Sequence, residues 1–344
     1  MHRIFISSLF FLVLFSACAR RNPEESDKHL KLAQQLLNKS ELENAFKELN
    51  LAIQLDGKNS SAFYYRGTYY VSKNNLEKGL EDFSEAIDFG PDSARFYDAR
   101  AYTYINRNEY GKAMEDIEQA VKLDSKSHVF INRRGYVYAL LNDYNQAIKD
   151  YTAAIKLNPK FEDAYSNRGF AYLNSKNYEK VIEDFTKAIE INENKAVYFN
   201  TRGYAYANLN LLGNALEDYD KAISLDSKFY DAYVNRGFIY LNTDQFKFAI
   251  TDFNDALSIK AVDATVYNAR GFAFSNLRDY DQALKDFTKA LEIDSNLTDA
   301  YVNRGFVNYN IYDRPNAVRD WEKAISLKPS LDSNLRNYLE KAKK

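Results

Sequence analysis

The chain has a single cysteine, Cys18, among its 344 residues, so it can form no intramolecular disulfide. Proline (5) and glycine (12) are scarce, which excludes collagen-like and low-complexity disordered classes. An excess of one charge is also missing: 46 Lys and Arg face 48 Asp and Glu, for a formal net charge of −2. That balance supplies no clustered basic surface of the kind nucleic acid requires. Only three histidines occur, at 2, 29 and 128, and neither HExxH nor CxxC spacing appears. Phosphate-cradling GxxxxGK and nucleophile-elbow GxSxG segments are lacking too. The acidic residues follow helical surface and pairing patterns, as a solvated face does. These absences point to a chain that is no enzyme and needs neither cofactor nor metal. What it does have is 46% apolar residues, 27% charged residues, 28 Tyr and 23 Phe, enough for two ordinary domains or one long repeat array.

No apolar run is long enough to stay in a bilayer. Ile4 to Phe15 is interrupted only by Ser7 and Ser8 and falls short of the roughly 20 residues a spanning helix needs. With Arg3 before it, it fits the hydrophobic region of a secretion signal over residues 1–18. The segment ends Phe15-Ser16-Ala17-Cys18, which resembles the lipobox of bacterial lipoproteins, with Phe15 where Leu is usual. That resemblance implies lipid attachment at Cys18 and a membrane anchor. With no Asp after Cys18, it also implies transfer to the outer membrane. The alternative is ordinary cleavage after Ala19, since Ala17-Cys18-Ala19 is also an A-x-A pattern. Residues 19–25, polar and containing Arg20, Arg21 and Pro23, are expected to be a tether.

Internal periodicity organises the rest. Gly67, Gly135, Gly169, Gly203, Gly237, Gly271 and Gly305 share a step of 34, with Ala101 in the one gap and Ala33 a step earlier. With this small residue as position 8, nine units follow without insertion: 26–59, 60–93, 94–127, 128–161, 162–195, 196–229, 230–263, 264–297 and 298–331. Position 27 is Ala in every unit, from Ala52 to Ala324, and position 20 is small in all but Val181. Position 24 is large and apolar throughout, as in Phe83, Tyr151, Phe185, Tyr219, Phe253, Phe287 and Trp321. Position 11 is aromatic from Tyr70 to Phe274.

Positions 4, 8 and 11 share one face of a helix, and positions 20, 24 and 27 share a face of a second. Polar turns such as Asn142-Asp143 and Lys176-Asn177 lie between them. Pro91, Pro159 and Pro329 fall at position 32, where a helix must stop, and Pro315 falls near a helix start, where its missing N–H is harmless. Glycine inside a helix costs about 0.5–1 kcal/mol relative to alanine. Seven such residues in register imply that close backbone approach is needed. One helix pair cannot cover its own apolar face, so each unit is expected to stack on the next.

This small–large pattern resembles that of the tetratricopeptide repeat (TPR) family over about nine tenths of the chain. The resemblance implies an all-α fold: an α-solenoid of nine TPR helix-turn-helix repeats in a right-handed superhelix, whose first helices line a concave groove. Unit one, with Leu32, Ala33 and Leu36, reads as a capping unit. Residues 332–344, with Leu335 and Leu339 on one face, read as a C-terminal capping helix.

Position 7 is Arg in units two to nine (Arg66, Arg100, Arg134, Arg168, Arg202, Arg236, Arg270, Arg304). Position 23 is Asp in the same units (Asp82, Asp116, Asp150, Asp184, Asp218, Asp252, Asp286, Asp320). Unit one breaks both with Leu32 and Glu48. Joint presence and joint loss predict a structural ion pair between neighbouring helices, since a guanidinium fork matches a carboxylate. At a surface each pair is worth about 0.2–1 kcal/mol. The alternative is an arginine row that reads an acidic ligand.

In TPR proteins positions 2, 5, 9, 12 and 13 usually face the groove. Position 9 here is aromatic in Tyr102, Tyr136, Phe170, Tyr204, Phe238, Phe272 and Phe306. Position 13 is Asn in Asn38, Asn106, Asn174, Asn208, Asn242, Asn276 and Asn310, and position 5 adds Asn132, Asn200 and Asn268. Rings supply apolar area and amides match a peptide backbone, so a protein or peptide ligand fits this groove. The alternative is that the rings pack between first helices and that the Asn residues only end them. The carboxylate clamp of some TPR domains does not carry over, because rings occupy position 9. The expected function is a non-enzymatic scaffold for protein–protein interaction, lipid-anchored on the cell envelope, with a role in envelope or pilus assembly by resemblance. A cell-wall glycan binder is the alternative, and an enzyme with an unrecognised site is the third reading.

Overall fold

The computed structural model describes residues 21–344. Within them every regular segment is helical. In units two to nine the first helix fills positions 1–13, as in Ser60–Ser72 and Ala264–Asn276. The second fills positions 17–30, as in Leu76–Phe89 and Tyr280–Ile293. The two helices of each unit pack antiparallel to one another. Each second helix then packs on the next first helix within each of two compact parts. Units one to four, through Leu157, form one part; units five to nine with the terminal helix, from Asn158, form the other.

The turn inside each unit is a nine-fold repeated Schellman motif. Position 15 takes positive φ in every case: Ser40, Asn74, Asn108, Asn142, Lys176, Asn210, Asp244, Arg278 and Tyr312. The N–H of position 16 then closes on the carbonyl of position 11, as in Asn75 to Tyr70 at 2.8 Å and Asn177 to Tyr172 at 3.0 Å. Many second helices open on a side-chain cap; Asn75, Asn177, Asp279 and Asp313 each accept an N–H from their first turn. Between units, an Asp or Asn at position 31 accepts the N–H two residues on, as Asp226 does from Lys228 at 2.9 Å.

The core is the small–large register made physical. Ala at positions 20 and 27 is fully buried, and so are the rings Phe83, Tyr151, Phe185, Tyr219, Phe253, Phe287 and Trp321. Each of these rings lies against the glycine at position 8 of its own unit; a Cβ on Gly135 would sit 2.8 Å from Tyr151 and one on Gly169 2.7 Å from Phe185. In units one and three, position 8 is Ala and its counterpart at position 24 is Leu49 or Ile117. Glycine thus appears where a flat ring presses on the backbone, and alanine where the opposing side chain is aliphatic.

The ends are closed differently. A helix over Asp332–Ala342 lays Leu335, Leu339 and Ala342 on Ala317, Trp321 and Ala324. At the start, the expected tether is shorter than its sequence suggests, because the first helix runs Pro23–Asn38 and takes in Pro23, Glu24 and Glu25. Proline at the first position, two acids in the first turn and the Asn22 side chain on the Glu25 N–H all favour helix there. The Asn22 N–H also donates to the Leu55 carbonyl at 2.9 Å, and Arg21 pairs with Asp56. Cys18 and the signal-like segment lie outside the described residues. Among the described residues no helix is long and apolar enough to cross a membrane.

Candidate functional site

The arginine row is tied into the framework. In each of units two to nine, Nε and Nη2 of the position-7 Arg donate to the two oxygens of the position-23 Asp of the same unit. Arg134 reaches Asp150 at 2.7 and 2.7 Å, and Arg202 reaches Asp218 at 2.9 and 2.7 Å. Arg168–Asp184 and Arg236–Asp252 are built identically. The carboxylates are buried and the guanidiniums largely so; Asp184 keeps 4% of its side-chain surface and Arg168 17%. These are therefore not the surface pairs whose magnitude the sequence suggests. Once both partners leave water, losing one strands a buried charge, which costs about 3–5 kcal/mol.

Hydrogen bonding to Asp holds Arg66, Arg100, Arg134 and Arg202 above the ordinary guanidinium value. Burial pushes the carboxyls of Asp184, Asp218 and Asp252 upward, against the pull of their arginines.

The third arm of the fork reaches back one unit, to position 25. Arg66 Nη1 donates to Asn50, Arg100 to Ser84, Arg202 to Thr186, Arg270 to Asn254 and Arg304 to Thr288, at 2.6–3.2 Å. Each of these arginines therefore ties three helices together. The sequence carried a signal for this, since position 25 is polar in all nine units, from Asn50 to Glu322. It is visible only once position 7 is known to face two units.

The ring row is at the surface and also braced from below. Tyr102, Tyr136, Phe170, Tyr204 and Phe272 are exposed, Tyr204 at 41%, while Phe238 and Phe306 are half-buried. Edge-to-face contacts seat three of them on core rings: Phe170 on Phe185 (centroids 5.0 Å apart), Phe238 on Phe253 (5.4 Å) and Phe306 on Trp321 (5.2 Å). Phe170, Phe238 and Phe306 thus lie with one edge on the position-24 ring of their own unit's second helix, and keep part of their surface in solvent. Such rings are held in place before any ligand arrives.

The asparagine row at position 13 is the last residue of its helix throughout: Asn38, Asn106, Asn174, Asn208, Asn242, Asn276 and Asn310. Asn174, Asn208 and Asn276 donate back to the carbonyls of Phe170, Tyr204 and Phe272 at 2.9–3.0 Å. These amides lend one N–H to the helix end and keep their oxygens at the surface. A second set of amides was missed in part. Position 6 of unit seven, Asn235, donates to Asn200 at 3.1 Å, and Asn303 donates to Asn268 at 3.1 Å. Position 5 was recognised in the sequence; its partner one residue later in the following unit was not.

Rings and amides meet in open cavities between successive first helices. In the first part, a space of about 440 Å³ is lined by Thr68, Val71, Asn74, Leu76, Tyr102 and Asn106. In the second, one of about 430 Å³ is lined by Leu173, Asn174, Tyr178, Asn200, Tyr204 and Asn235. Both offer apolar walls and neutral hydrogen-bonding groups, and the second is lined by Thr201 and the cation of Lys176 as well. Among the described residues, no cluster of His, Cys, Asp or Glu is arranged to hold a metal ion.

A family model described as TPR repeat matches residues 135–176. Two described as tetratricopeptide repeat match 162–195 and 264–297, and 94–127, 196–229 and 230–263. Together they cover more than half of the chain, and those of 34 residues share their bounds with units three and five to eight. No curated protein matches the chain. Among solved structures, a tetratricopeptide repeat protein from Parabacteroides merdae ATCC 43184 is 19% identical, covering 74% of this chain and 100% of that one, with a TM-score of 0.53. The APC/C hetero-tetramer Cut9-Hcn1 is 15% identical, covering 94% of this chain and 78% of that one, with a TM-score of 0.54. Both likenesses are of fold.

Proposed function

The chain belongs to the tetratricopeptide-repeat family, a family of protein-interaction scaffolds, and on that premise we propose that its first-helix face binds an extended polypeptide. The observation that carries this reading is the seating of the position-9 rings. Phe170 and Phe238 rest on core rings with part of their surface in water, and Asn200, Asn235 and Asn174 stand beside Tyr204. A pre-set aromatic surface next to neutral amides suits a peptide main chain and its apolar side chains. The role is that of a non-enzymatic scaffold. We further propose that Cys18 carries a lipid and holds the scaffold on the cell envelope, at the outer membrane, where it serves envelope or pilus assembly. The support for this is the Ser16-Ala17-Cys18 segment following an apolar run. The fold starts close behind it, at Arg21 and Asn22.

The test is retention of envelope proteins by the purified chain, with and without Tyr204→Ala and Phe238→Ala. Loss of a specific protein with either change supports the reading. Retention of peptidoglycan or glycan and of no protein assigns the rings to sugar instead. Anchoring is tested separately: labelling with a fatty-acid analogue that disappears in Cys18→Ser supports the lipid, and unchanged labelling or none at all refutes it.

A further inference from the structure

The fold begins close behind Cys18, and its first residues are stapled down. Arg21 pairs with both oxygens of Asp56, Nη2 reaching Oδ2 at 3.0 Å. The Asn22 N–H donates to the Leu55 carbonyl at 2.9 Å. Ser26 Oγ donates to the Ala52 carbonyl at 2.8 Å, and Asn59 Nδ2 donates to Ser26 Oγ at 2.9 Å. Three residue steps separate Cys18 from Arg21, so their Cα atoms are at most about 11 Å apart. Whatever holds Cys18 is therefore held close to unit one.

Unit one also presents a face that the later units cover. In those units, positions 3 and 10 of the first helix pack on the second helix of the unit before. Ala62 lies with Leu49 and Ala52, Val137 with Ile117 and Ala120, and Ile239 with Tyr219 and Ala222. Position 3 is apolar or aromatic in all of units two to nine, from Ala62 to Ala300. In unit one the same two positions are Lys28 and Gln35, both exposed. Lys31, Leu32 and Lys39 are exposed beside them. The five residues share one helical face and form a stripe along the first helix. Lys28 holds Glu25 at 2.9 Å and Glu24 at 3.4 Å, whereas Lys31 and Lys39 join no ion pair among the described residues.

A stripe of lysines around one leucine complements an anionic lipid surface. The ammonium groups meet phosphates, and the leucine meets the headgroup boundary. The other surface at the start of the fold is the edge made by the loops between units. It sets Lys58 and Lys126 against Asp92 and Asp124 and offers no charge of one sign. A symmetrical contact of the stripe with a second copy would set lysine against lysine.

Building on the lipid anchor proposed above, we propose that this stripe of unit one docks on the bilayer. Lys28, Lys31 and Lys39 rest on anionic headgroups, and units two to four rise away from the membrane. The staple at Arg21 and Asn22 makes the docking specific, because it leaves the anchor little length in which to turn the array over. The rings of units three and four, Tyr102 and Tyr136, are then held clear of lipid.

The test uses the full chain, lipidated in a bacterium and reconstituted in vesicles of phosphatidylethanolamine and phosphatidylglycerol. A fraction of the lipid carries a nitroxide on its headgroup. With Cys18 taken up by the lipid, an introduced cysteine is the only free thiol for a dye. Gln35→Cys puts the dye on the stripe, and Leu141→Cys puts it on an exposed position of unit four. Nitroxide quenching is short-ranged, so it should be severalfold stronger at Gln35 than at Leu141. Adding Lys31→Glu with Lys39→Glu should remove most of that difference, and so should replacing phosphatidylglycerol by a neutral lipid. Both lysines are exposed, so the helical circular dichroism should be unchanged. Should the charge-reversed chain fold poorly, Lys31→Gln with Lys39→Gln takes its place, and the neutral-lipid arm needs no charge variant. Equal quenching at the two sites, stronger quenching at Leu141, or a difference that survives charge reversal or neutral lipid overturns the docking and leaves the anchor in place. A chain that takes up no fatty-acid label and does not float with the vesicles overturns the anchor, and the docking with it.

Discussion

A Cβ on Gly237 would lie 2.7 Å from Cε1 of Phe253, nearer than real Cβ contacts come. The same relation joins Gly271 to Phe287 at 2.9 Å and Gly67 to Phe83 at 2.7 Å. This contact sets the separation of the two helices in a unit, and through it where the position-9 ring is seated on the ring at position 24.

Gly237→Ala should destabilise the array by about 1–3 kcal/mol, the usual cost of overpacking a tight core. Adding Phe253→Leu should recover part of that loss, because Ala33 with Leu49 and Ala101 with Ile117 show the smaller pair fits the same frame. Denaturant unfolding of both single variants and the double variant measures the coupling. Strict additivity would break the proposed link.

Arg236→Ala should cost about 3 kcal/mol or more, since it leaves Asp252 buried without its two donors. Thr186→Ala, which removes only the Arg202 Nη1 contact to the preceding unit, should cost about 1 kcal/mol. Thermal unfolding should rank them in that order.

Tyr312→Asn should stabilise the last unit. Tyr312 holds φ at 66° with 81% of its surface exposed, so it bears left-handed strain and contributes little packing. Relief is worth about 1 kcal/mol, because Asn tolerates that region better than other side chains. A lower unfolding midpoint would contradict the assignment.

The start of the fold should loosen in acid. Hydrogen bonding to Arg21 holds the Asp56 carboxyl below its ordinary value. A group lowered in the folded state adds stability above the unfolded aspartate value, about 3.9, and loses it as pH falls through the folded one. Hydrogen exchange of the Asn22 and Glu25 amides should therefore lose protection below about pH 4, once corrected for the intrinsic rate. Arg21→Ala should remove the effect.

Much of this was legible in the sequence, because a strict step of 34 fixes which residues share a face. The joint occurrence of Arg at 7 and Asp at 23 also marked the ion pair. Three features were not. Lys176, Arg278 and Tyr312 carry no signature of positive φ, so the turn shows only when the hydrogen bond from position 16 to position 11 is seen. The burial of Asp184 and Asp252 depends on how three helices meet, which no single helix face encodes. The exchange between glycine with a ring and alanine with Leu49 or Ile117 was present in the letters, but its reason is a contact distance. For the binding face, spacing placed Tyr204 and Asn200 correctly on the first helix. It could not show that position 5 of one unit meets position 6 of the next, because that depends on the offset between stacked pairs.

The most direct test of the binding face is photo-crosslinking in cells, with a benzophenone amino acid at Tyr204 and, as a control, at Glu217, exposed on the second helix of the same unit. The account predicts that the Tyr204 position captures a defined polypeptide segment, that Phe238→Ala weakens the capture, and that Glu217 captures none of it. Capture of the same segment from Glu217, with none from Tyr204, would contradict it.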